Sequence, residues 1–148
     1  LGSPNMATLT IVDNDTIASS PPQLILDESG PDPNQAAALD SLLCLRDPFP
    51  IQSVAGWLNL GSDRNTRVII FVANLRLNPG ETSASVVVNL IGSNQSYDVP
   101  AEDVRLAPNT EFAQVTFRLP NTLAPGACTV TVKAHSQISN SAIIRIGP

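Results

Sequence analysis

The residues with the right types for chemistry are one histidine, two cysteines and a few short acidic clusters, and their spacing decides what they can do. His135 is the only imidazole in the chain. A Ser–His–Asp hydrolase needs serine, histidine and carboxylate converging in space, and no Gly-x-Ser-x-Gly elbow accompanies His135. It falls at the tip of an expected hairpin, pointing outward, where an exposed polar residue is unremarkable. A zinc site draws on several His or Cys ligands, and neither His135 nor the cysteines supply a cluster of that kind.

Asp27-Glu28 with Asp32, and Glu102-Asp103, are short acidic groups. Paired carboxylates do glycosidase work when held roughly 5–9 Å apart across a sugar cleft. Sugar sites also lean on aromatic platforms, and this chain has one Trp, one Tyr and four Phe. The acidic groups therefore read as solvated loops. The glycines form neither Gly-x-Gly-x-x-Gly nor a P-loop, so no nucleotide site is expected. Cofactors are absent from this reading, and the chain reads as non-enzymatic.

Cys44 and Cys128 fall on the first and the penultimate strand expected for the core. Paired, they close a long loop and stabilise by about 4 kcal/mol in the chain-entropy picture. The alternative is two buried free thiols. No Cys-x-x-Cys occurs, which removes the usual redox and zinc motifs. Trp57, in "SVAGWLNLGSDRN", either packs at one end of the core or offers a ligand contact, and packing is the usual role of a large aromatic there.

The elements that must position these residues are strands. "TRVIIFVANLRL" (66–77) is β-branched and apolar on both faces, the pattern of a strand buried on both sides. "SASVVVNLIG" (83–92) is a second strand, and Ser93-Asn-Gln makes a hairpin or corner. "SYDVPAEDVRLA" (96–107) carries Pro100 and belongs at an edge or in a broken strand. Three further segments alternate well. Ala113, Val115, Phe117 and Leu119 face inward in the first, Cys128, Val130, Val132 and Ala134 in the second, and Ala142, Ile144 and Ile146 in the last. "QAAALDSLLCLRDPFP" is ambiguous, with a strand over 39–46 favoured over a helix.

Thirteen prolines among 148 residues, with many Ser, Thr and Asn, fit short elements and frequent turns. Six or seven strands at about 8–12-residue spacing predict an all-β, immunoglobulin-like sandwich of about seven strands. Residues 17–38, with Pro21-Pro22 and Pro31-Asp-Pro33, read as a Pro-rich linker. The net charge is −5 and the eight basic residues are scattered, which argues against binding a phosphate backbone. No apolar run reaches the roughly 18–20 residues of a membrane span.

The last part of the chain, "LPNTLAPGACTVTVKAHSQISNSAIIRI", resembles the C-terminal half of a TIG-type (E-set) immunoglobulin-like domain. Leu123-Ala-Pro-Gly126 matches the turn of that family, Thr129-Val-Thr-Val132 a strand, and Ser139-Asn140 the approach to the final strand. Asn74-Leu75 is what remains of the family's second-strand motif. The resemblance covers 39–148 and implies the terminal module of a secreted, multidomain bacterial surface protein, placed extracellularly or on the cell surface. A secreted location favours the Cys44–Cys128 disulfide over free thiols. The two Asn-x-Ser/Thr sequons, at Asn14 and Asn94, carry little meaning for a bacterial origin.

The opening stretch "ATLTIVDNDT" is similar to the closing strand of a Calx-beta domain, which makes residues 1–16 a remnant of a preceding module. That resemblance implies calcium ligation by Asp13 and Asp15. Calcium takes six to eight oxygens, so two carboxylates need help from elsewhere. The combined expectation is a non-enzymatic extracellular module for structure, adhesion or partner docking. Its alternatives are a calcium-dependent binding module and a carbohydrate-binding accessory domain, the latter using an exposed Trp57. Residues 7–12 are expected to pair with a sandwich edge or with another chain by strand addition.

Overall fold

The computed structural model describes residues 20–55 and 62–148. They form two antiparallel sheets packed face to face, a β-sandwich, with a single 3-10 turn (Ser83–Ser85) and no α-helix among the described residues. In chain order the strands are β1 (Gln23–Leu24), β2 (Ala38–Asp40), β3 (Arg67–Ala73), β4 (Val87–Gly92), β5 (Gln95–Pro100), β6 (Asp103–Leu106), β7 (Ala113–Arg118), β8 (Gly126–Ala134), β9 (Gln137–Ile138) and β10 (Ala142–Ile146). One sheet runs β1-β3-β7-β6, with β2 also on β3; the other runs β10-β8-β4-β5, with β9 on β8. No described helix is long and apolar enough to cross a membrane.

Period-two alternation builds the core. Val68, Ile70 and Val72 of β3 meet Val115 and Phe117 of β7 in one sheet, and Val88, Leu90, Val130, Val132 and Ile144 face them from the other. All are fully buried. The inward sets expected for β7, β8 and β10 are the ones observed. β3 differs: Ile69 and Phe71 are only half-buried, so a single face of this strand enters the core. The sandwich has two layers, and a strand in either layer has only one neighbour sheet.

Two segments differ from the sequence expectation. The strand expected over 39–46 ends at Asp40, because the Asp40 carboxylate accepts the N–H groups of Leu42 and Leu43, each at 2.8 Å, and folds the chain into a turn. Residues 20–38, expected as linker, belong to the sandwich: Leu24 and Ala36 are in its core, and β1 pairs with the end of β3. Asn140 fixes this pairing, accepting the Leu24 N–H at 2.7 Å and donating to the Leu24 carbonyl at 3.2 Å.

The cysteines correct a third expectation. Both are free thiols: Cys44 is exposed on the turn after β2, and Cys128 is buried in β8 of the other sheet. Cys44 is at the surface and Cys128 is enclosed in the core, so the two do not share an environment. Burial pushes the Cys128 thiol up to about 11.

Candidate functional site: the open edge of β5

β4 and β5 are joined by Ser93-Asn94, both at positive φ (48° and 64°). That is the two-residue hairpin geometry whose twist matches the flanking strands, and asparagine tolerates it. The hairpin sets the register Gly92 to Gln95 through Val87 to Pro100. The ladder continues one step further, where the Ala101 N–H donates to the Val86 carbonyl at 2.9 Å. In an antiparallel ladder alternate residues bond the neighbour. Tyr97, Val99 and Ala101 therefore direct their backbone groups at β4, while Ser96 and Asp98 direct theirs outward. Pro100 contributes an outward carbonyl only. No described strand pairs with β5 on that side.

After Pro100 the chain crosses to the other sheet, where the Glu102 N–H donates to the Thr116 carbonyl at 2.8 Å and β6 pairs with β7. The crossing leaves a groove of about 560 Å³ along β5, lined by Tyr97, Asp98, Val99, Pro100, Ala101, Glu102, Arg118 and Pro120. Its lining is mixed: Tyr97, Val99, Ala101 and the two prolines are the less polar part, and Asp98, Glu102 and Arg118 are charged. Tyr97 is held across it, its hydroxyl hydrogen-bonded to the Gln95 side chain and donating to the Thr122 carbonyl at 3.0 Å.

Charges border the groove. Glu102 takes a bidentate contact from Arg67, at 3.0 and 3.2 Å. Asp63 accepts from both Arg67, at 2.7 Å, and Arg118, at 2.9 Å. The Arg67 guanidinium holds the Asp63 carboxyl well below the usual carboxylate range, and Asp63 in turn raises Arg67. On the solvent face of β5, Asn89 donates to Ser96 and Asp98, each at 2.8 Å, and Lys133 approaches Asp98 at 3.0 Å. The Asn89 amide, and then Lys133, lower the Asp98 carboxyl. One side of β5 is thus recessed beside Tyr97 and Val99, and the other is a polar lattice, with Asp98 bordering both.

The remaining residues of chemical type are placed elsewhere. His135 sits at the β8–β9 turn, 2.9 Å from Glu81. Asp27 accepts from Ser29 and pairs with Arg46 at 2.9 Å; Asp32 takes a two-pronged contact from Arg145. Hydrogen bonds from Ser29 and Arg145 respectively hold Asp27 and Asp32 below their ordinary range. A general acid needs the opposite shift, which burial in an apolar pocket supplies. Asp103 pairs with Arg105. Asp27, Asp32, Glu102 and Asp103 are thus bound into ion pairs, with Arg46, Arg145, Arg67 and Arg105 respectively. No group of three or more metal-ligating side chains is assembled among the described residues. Asp13, Asp15 and Trp57 lie outside the described residues.

Sequence reasoning found the edge character of 96–107 through Pro100. It missed the groove, because Arg118 and Pro120 reach it only through the sheet-to-sheet crossing at 100–103. Compared with protein-family models, curated proteins and solved structures, the chain matches none.

Proposed function

We propose that this chain is a non-enzymatic, immunoglobulin-like module of TIG/E-set type that docks an extended polypeptide segment along β5, as part of a larger secreted or surface protein. The observation that carries the reading is the outward-facing backbone of Ser96 and Asp98 beside the groove of Tyr97, Val99 and Pro120. A free strand edge supplies main-chain affinity, and an adjoining groove selects alternate side chains. Two antiparallel sheets support the immunoglobulin-like assignment, as does the switch of the chain between sheets after β5. The resemblance of 39–148 to TIG-type domains supplies the surface location.

The test is titration with extended peptides of about eight residues, alternating apolar and polar, followed by backbone amide shifts. Saturable shifts should be confined to Gln95–Glu102 and Arg118, and Asp98→Pro should abolish them by removing an outward N–H. Shifts that map to another surface, or that survive Asp98→Pro, would overturn the reading.

A further inference from the structure

We infer that the segment docked on β5 is Ala7–Val12 of a second copy of this chain, a deepening that rests on the docking reading above. Among the described edges, β5 is the one suited to accept a strand of this length. β10 is covered by the chain itself: the Ile143 N–H donates to the Asn34 carbonyl, and the Phe49 N–H to the Arg145 carbonyl. β1 has two residues and β2 three. β6 has four. β5 has six.

Ala7–Val12, "ATLTIV", is also six residues, rich in β-branched types, and alternates. Placed on β5, one face carries Ala7, Leu9 and Ile11 and the other Thr8, Thr10 and Val12. The first set suits the less polar part of the groove, Tyr97, Val99 and Pro120. The second suits the polar lattice of Asn89, Ser96 and Asp98. A one-residue slip exchanges the faces and puts threonines against the groove, so the pattern fixes which face of the segment meets it.

The geometry of the tether favours a second copy as donor. The described chain begins at Ser20, next to β1, where the Pro21 carbonyl accepts from Asn74 at 3.3 Å. β1 contacts β8, and from there β4 and β5 follow in the sheet. Strands are spaced by about 4.8 Å and packed sheets by about 10 Å. The seven residues 13–19 reach at most about 25 Å. Donation between copies has no such limit: it closes as a reciprocal, isologous two-fold dimer or runs on head to tail as a heterologous chain.

Sedimentation velocity of the full chain, from about 10 µM to about 1 mM, tests the assignment with Thr10→Pro and Asp98→Pro. The wild type should associate with rising concentration, and each variant alone should lose at least tenfold in association. An equimolar mixture should give a one-to-one complex, because Thr10→Pro keeps a working β5 and Asp98→Pro keeps a working donor strand. Thr10 lies outside the described sandwich, so its result stands even where Asp98→Pro fails to fold. A wild type that stays monomeric throughout, or a Thr10→Pro chain that associates like the wild type, overturns the assignment. Should Thr10→Pro have no effect while the alternating peptides still bind β5, the docking reading survives and only this occupant is lost.

Discussion

The two ends of one sheet, β10 and β5, are treated in opposite ways. At β10, Asn34, Ala36 and Phe49 lie alongside, and four backbone hydrogen bonds of 2.8–2.9 Å join them to Ile143, Arg145 and Gly147. The side chains of Asp32 and Asp47 reinforce the cover, Asp32 on the Arg145 guanidinium and Asp47 on the Arg145 N–H at 2.8 Å. At β5 no described segment plays this part, although the strand is the longer of the two. An exposed edge invites association, and natural sheets manage it by cover or by charge. Here the same chain spends some fifteen residues covering one edge and leaves the other beside a groove. The difference is the ground for proposing that the open edge is a binding surface and not a by-product of a short sheet.

The largest effect should come from removing the cover. Phe49 is fully buried and anchors the cover strand in the core. Phe49→Ala should cost about 3–5 kcal/mol, read as a lowered urea midpoint, and should expose the β10 amides to exchange. A change under about 1 kcal/mol would mean that the cover is held without its anchor and that the two edges differ less than described.

Next is Asn140, whose amide joins β1 to the approach of β10. Asn140→Ala strands the N–H of Leu24 and should cost about 1–3 kcal/mol. Unchanged unfolding would show that β1 is not stapled there. The smallest effect is acidic. Arg145 holds the Asp32 carboxyl below its ordinary range, so its contribution is fully present above the ordinary carboxylate range. It is lost as pH falls through the lower folded value. Protection of Ile143 should therefore decline in acid, and Arg145→Gln should flatten that decline. Because Arg145 is half-exposed, the change is modest. The same titration should leave the β5 amides unprotected throughout.

Much of this contrast was legible in the sequence, for physical reasons. β7, β8 and β10 alternate because one face of each meets a core and the other meets water, and that periodicity survives any context. Pro100 marked an edge because it lacks a donor for a ladder. The cover was illegible. Proline-rich composition around Pro21 and Pro31 suggested a linker, whereas Leu24 and Ala36 find burial through partners more than a hundred residues away. The early end of β2 was hidden in the side chain of Asp40, which outcompetes the strand by bonding two backbone N–H groups. The cysteines misled because strand order along the chain does not say which sheet or face each occupies. The groove at β5 depends on Arg118 and Pro120, whose approach is set by the sheet crossing and by no local pattern.

The most direct measurement of the contrast is amide hydrogen exchange, residue by residue, on the full chain at low and at high concentration. At low concentration the N–H groups of Ser96 and Asp98 should exchange nearly as fast as free peptide, while that of Ile143 is protected. At high concentration Ser96 and Asp98 should slow and Ile143 should not change. Equal protection of Ser96, Asp98 and Ile143 in the dilute protein, with no response to concentration, would contradict an open edge at β5.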